Sequence, residues 1–330
     1  MQAASGQWEV MRKRQPIAEV IADPATPEEL VARLELVDEA RDFSIRELGL
    51  PDNSSYRSYA DLERDFIVWN VTAAPEFSLQ AKVWCFPVVG CVSYRGYFSE
   101  RDAIRASERL SKDGFDVAVG GVVAYSTLGK FSDPILNTMM HWSDLRLVAV
   151  LFHELAHQRL YVKDDSRFNE SFATAVEEIG LQRWLESHAN AAEFDQYREH
   201  RNFEEQITRT VNAARDDLQR IYALDIGLPE MRELKRARLT ELSEALRAVA
   251  IEAGRSVSAY PDTELNNAHL VLTGLYEGLL PQFRALYRAC DESLARFYKA
   301  AEYLADLDKS ERDRRLATGD LRCVVDGPDH

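Results

Sequence analysis

Apolar positions along this chain change their period several times, and each change marks a new segment. Between residues 7 and 49 the period is helical: Leu30, Leu34 and Val37 share one stripe, and Pro24 and Pro27 separate a pair of predicted helices. Thr26-Pro27-Glu28-Glu29 reads as the start of the second. Leu50 to Tyr59 is rich in turn formers and predicts a loop. β-branched and aromatic residues then gather in Phe66 to Val71, Lys82 to Cys85 and Gly90 to Tyr97, which predicts strands. Ser99 to Asp113 returns to helix, with Ser99 as N-cap. Phe115 to Tyr125 reads as a strand that Gly120 and Gly121 interrupt.

From Leu145 onward nearly everything has helical spacing. One helix ends near His188. Phe203, Ile207, Val211 and Leu218 form a stripe within residues 192–225, and Leu234, Leu239, Leu242 and Leu246 form another within 229–253. Residues 319–330 predict a weakly ordered tail, with Cys323 a potential tether. The expected fold is mainly α with a small β-sheet, an α+β class. Residues 1–190 form a mixed α/β region and residues 191–330 a helical region packed on the same unit.

A formal net charge of −15 excludes a general nucleic-acid binder. No stretch is long and apolar enough to cross a bilayer, and no signal peptide is visible at Met1. None of the four cysteines has metal-site spacing. Cys85 and Cys91 bracket a short apolar turn. They predict either a small disulfide loop or two buried thiols.

The unbroken apolar run Leu147 to Phe152 leads into His153-Glu154-Leu155-Ala156-His157. Two histidines four apart on a helix share a face, one turn apart, so both imidazoles can reach one metal ion. Glu154 follows the first, where it can act as general base on a metal-activated water. Catalytic zinc needs a third protein ligand. Glu170, in Asn169-Glu170-Ser171-Phe172-Ala173, comes 13 positions after His157, beyond a predicted turn with Ser166 as N-cap. Glu177 lies two turns further on the same face, as competing ligand or support. The predicted ligands of one zinc ion are His153, His157 and Glu170.

These two motifs resemble the gluzincin metallopeptidases, nearest the aminopeptidase N-like pattern, although the insert between the helices is shorter here. Leu50 to Tyr56, Trp84 to Pro87, Tyr94 to Phe98 and Ala124 to Gly129 extend the similarity to a family of predicted bacterial zinc aminopeptidases, often lipoproteins. The resemblance implies a zinc-dependent peptide hydrolase with Glu154 as base. It implies that Gly120, Gly121 and Tyr125, on the strand ahead of the zinc helix, bind an extended peptide; an ordinary buried strand is the other reading. It implies an oxyanion donor from a later helix, Tyr276 or Tyr260, with Asn267 facing the substrate. Helix capping is the other reading of Asn266 and Asn267. It further implies a periplasmic protein whose N-terminal lipid, ahead of Met1, attaches it to a membrane. The stretch Gly121 to Ser126 carries no acid to hold a substrate amine. That keeps two alternatives open: an endopeptidase acting on flexible envelope proteins, and a non-catalytic zinc-bound binding protein.

Overall fold

The computed structural model describes residues 2–86, 90–124, 127, 131–188, 191–255, 265–276 and 278–323. In chain order its first elements are α1 (Gln2–Lys13), β1 (Arg14–Pro16), α2 (Ile17–Ala22), α3 (Glu28–Arg46), β2 (Ser58–Ala60), β3 (Val68–Pro75), β4 (Trp84–Phe86), β5 (Gly90–Val92) and β6 (Arg95–Tyr97). There follow α4 (Glu100–Lys112), β7 (Phe115–Val122), β8 (Ile135–Leu136), α5 (Asp144–Arg159) and α6 (Ser166–Ser187). The remainder is helical: α7 (Ala191–Tyr222), α8 (Leu228–Glu252), α9 (Asn267–Tyr276), α10 (Leu280–Ala289), α11 (Leu294–Asp306) and α12 (Lys309–Thr318). The fold is α+β, mainly helical with small sheets of two or three strands.

Two compact units form from interleaved segments. One takes residues 1–67, 122–191 and 276 onward; the other takes 68–121 and 192–275. The crossings after 67, 121 and 275 join segments far apart in sequence around shared cores, which linear composition does not reveal.

The first unit is built on α3, α5 and α6, with α10 packed on α6 and α11 on α10. Its apolar stripes meet as aromatic contacts. Phe43 stacks on Phe152 at 6.0 Å, Trp184 meets Phe43 edge-on at 5.2 Å, and Phe172 sits 5.8 Å from Phe283 and 5.9 Å from Phe297. Gly180 is where α6 comes closest: an added Cβ would lie 2.7 Å from Leu48 and 2.8 Å from Phe152. A small sheet, ordered β1-β2-β8, pairs β1 antiparallel and β8 parallel to β2. The helix expected to run unbroken towards Pro24 is therefore cut at Arg14. Pro16 lacks the N–H that an interior helical turn needs, and Gln15 and its neighbours pair with Ser58 to Ala60 instead. Cys290 and Cys323 are bonded, so the tether of the last described residue is a disulfide.

The second unit holds a sheet ordered β6-β3-β7, with α4 against β3. Ser99 caps α4 as expected, its Oγ accepting from Asp102 N. β7 runs through Gly120 and Gly121 without interruption and has β3 as its partner among the described residues. The stretch Gly90 to Tyr97 is two short strands, not one. β5 pairs with β4 in a hairpin closed by a Cys85–Cys91 disulfide, while β6 joins β3. Val211, Leu218, Leu239, Leu242, Leu246 and Leu270 bury one another, so the two predicted stripes of α7 and α8 form one core.

Candidate metal centre

α5 begins at Ser143, whose hydroxyl accepts from Arg146 N. Its apolar run buries Leu147, Val148, Leu151 and Phe152, and the same helix then carries His153, Glu154 and His157. α6 brings Glu170 and Glu177 against it. His153 Nε2 lies 3.4 Å and His157 Nε2 3.7 Å from Glu170 Oε2. His153 Nδ1 is 3.0 Å from Glu177 Oε2. The two rings stand nearly perpendicular, centroids 4.8 Å apart. One ligand atom from each of His153, His157 and Glu170 falls within 4.8 Å of the others, a spacing that suits a single metal ion. Glu170 thus points between the two Nε2 atoms, while Glu177 takes the far nitrogen of His153. That is the arrangement in which a supporting carboxylate fixes a ligand imidazole's tautomer and orientation.

The donor set fits zinc by its chemistry: two imidazoles and one carboxylate. Electrostatics fit as well. Burial alone would lower the His153 pKa, yet hydrogen bonds to Glu170 and Glu177 and the nearby charges of Glu177 and Glu154 carry it well above the usual imidazole value. Burial would raise Glu170, but hydrogen bonds to His153 and His157 hold it far below the usual carboxylate range. Glu154 is pushed up by burial, against the pull of His157 and His153 and with help from Glu170 and Glu177.

The turn between the helices is pinned at both ends. Asn169, 1% exposed, accepts from Val162 N and donates to Val162 O, both at 2.7 Å. Asp165, not Ser166, is the N-cap of α6: its Oδ1 accepts from Phe168 N at 3.2 Å. Its other oxygen accepts from Arg312 Nε and Nη2 of α12, at 3.1 and 2.8 Å. An aspartate already held by a buried guanidinium outcompetes a serine as cap. Tyr161, in this turn, was not anticipated as a neighbour of the site. Burial, then the charges of Glu170 and Asp164, raise its pKa. Its position between His157 and Glu170 was the available signal.

The remaining expected site residues are placed as follows. Gly120 and Gly121 lie exposed on β7, in the second unit. Tyr125 and Tyr260 lie outside the described residues. Tyr276 ends α9, and its side chain also lies outside the description. Asn267 does not face a substrate. It is fully buried, its Nδ2 donating to the carbonyls of Pro75, Glu76 and Ser78 at 3.0–3.1 Å and its Oδ1 accepting from Tyr222 at 2.7 Å. An amide so engaged fastens its own unit and has nothing left for a ligand. Asn266 Oδ1 accepts from Ala268 N, which is capping chemistry.

No curated protein and no solved structure matches the chain. A family model does, over residues 1–316, and by that match the chain belongs to the family described as "Putative aminopeptidase".

Proposed function

We propose that this protein is a zinc-dependent peptide hydrolase, most simply an aminopeptidase, with His153, His157 and Glu170 as ligands of the metal. The observation that carries the proposal is the convergence of both imidazole Nε2 atoms on Glu170, beside Glu154. When bound, zinc supplies a Lewis acid that brings the pKa of water towards neutrality and polarises a carbonyl. The protein's own groups then divide the remaining tasks. Glu177 accepts from His153 Nδ1, which leaves Nε2 as a lone-pair donor. Glu154 takes a proton from water and delivers it to the departing amine, and its raised pKa suits a group that must both accept and release. Two disulfides suit an exported, periplasmic protein.

Glu154→Gln tests the reading. The variant should keep about one zinc per chain by metal analysis, while hydrolysis falls about a hundred- to ten-thousand-fold. Aminoacyl-nitroanilides against unstructured casein decide between exopeptidase and endopeptidase action. A wild type without tight zinc, or a Glu154→Gln variant that cleaves as fast as wild type, would sink the proposal.

A further inference from the structure

The loop between α3 and β2, Leu50 to Tyr56, has no regular secondary structure, yet buried hydrogen bonds tie it down. Arg41 of α3 does the holding. It is 0% exposed, and its guanidinium donates to the carbonyls of Ser55 at 3.1 Å, Pro51 at 2.6 Å and Asn53 at 3.1 Å, and to Ser44 Oγ at 3.2 Å. Burying a cation among carbonyls is a costly way to shape a loop, and burial accordingly lowers the Arg41 pKa. The far side of the loop is tied down too: Tyr56 N donates to Asp133 O at 2.6 Å.

The device presents one side chain to the metal helix. Asn53 Nδ2 donates to Gln158 Oε1 at 2.8 Å. Gln158 directly follows the ligand His157. It also lies four residues after Glu154, hence one turn along on the same helix face. The Asn53 carbonyl oxygen is turned inward, accepting from Ser55 N at 3.0 Å, which fixes the side chain's orientation. Asn53 is exposed and has a second Nδ2 hydrogen without a partner among the described residues. Gln158 Nε2 is enclosed and has no hydrogen-bond partner among the described residues. Unsatisfied amide donors beside a reacting centre, on a loop made rigid at a cost, are what a binding wall requires.

We propose that the loop Pro51 to Ser55 is the substrate wall on the Glu154 side of the metal centre. In this assignment, which rests on the hydrolase reading above, Asn53 donates a hydrogen bond to a main-chain carbonyl of the peptide, and Arg41 is a positioning residue that holds the loop. The ligand class is the neutral backbone of an extended peptide.

The test uses zinc-loaded full-length protein. Asn53→Ala should raise KM about three- to tenfold with kcat little changed, the loss expected for one neutral hydrogen bond. Asn53→Asp keeps the acceptor for Ser55 N but loses the donor, and should behave alike. In the Glu154→Gln background, calorimetry with a casein-derived peptide should show the same three- to tenfold weaker binding for both variants. Zinc content should stay at the wild-type value. Unchanged peptide affinity and unchanged KM in both Asn53 variants, with wild type active, would overturn this inference alone. A wild type that neither holds zinc nor cleaves peptide would overturn it together with the hydrolase reading.

Discussion

Glu154 and Glu177 both stand beside His153, yet their surroundings assign them different tasks. Glu154 is a half-buried carboxyl with no hydrogen bond to the imidazole, and desolvation raises its pKa. Glu177 is hydrogen bonded to His153 Nδ1 and orients the ring. Glu177→Gln should therefore keep hydrolysis measurable but weaken zinc about 10- to 100-fold, the usual effect of removing a ligand's outer partner. Competition with a chromogenic chelator would show it; wild-type affinity in the variant would rule out that role. The raised His153 pKa has a consequence of definite sign. In the proposed zinc reading, the metal would compete with a proton for this imidazole, whose pKa is raised. Zinc uptake should thus release protons, and affinity should fall as pH drops below the raised His153 value, about tenfold per pH unit for each proton displaced. Calorimetry in two buffers of different ionisation heat measures this directly, and equal apparent heats would contradict it.

At the scale of elements, α5 and α6 make the site because they can approach closely. Gly180 permits this, since a Cβ there would intrude on Leu48 and Phe152. Helix propensity alone favours Gly180→Ala by about 1 kcal/mol. Overpacking a filled core costs about 1–3 kcal/mol. The clash should win, and Gly180→Ala should lower the unfolding midpoint; a raised midpoint would mean that both neighbours yield freely. The turn between the helices depends on α12, because the Arg312–Asp165 pair is only 4% exposed on each side and holds the α6 cap. Much of this was legible in the chain itself. The Leu147 to Phe152 run and the four-residue histidine spacing mark α5, and Glu170 follows the turn. The cap was not legible, because Asp165 draws its advantage over Ser166 from a guanidinium more than a hundred residues away.

At the scale of the molecule, the Cys290–Cys323 bond closes a loop of sequence separation 33 and fastens the chain beyond α12 to the end of α10. In the loop-entropy account such a bond contributes about 4 kcal/mol. Cys323→Ser, which leaves Cys85–Cys91 intact, should lower the denaturant midpoint correspondingly. A midpoint identical to that of oxidised wild type would show that the tether adds nothing.

What the sequence determined by itself is whatever depends on near neighbours along the chain. Helical stripes, the Ser99 cap, the two-histidine face and the offset to Glu170 all follow from backbone periodicity, which acts over a few residues. The tertiary structure decided what depends on groups brought together from afar. It set Glu177 against His153 Nδ1 and engaged the Asn267 amide on Pro75, Glu76 and Ser78, where the sequence left capping and substrate contact as alternative readings. It paired Cys290 with Cys323, and it set Asn53 against Gln158. In each case a polar group must find a partner once buried. Which partner it finds is a property of the packed chain, because the candidates lie tens to hundreds of residues apart and only folding makes them neighbours.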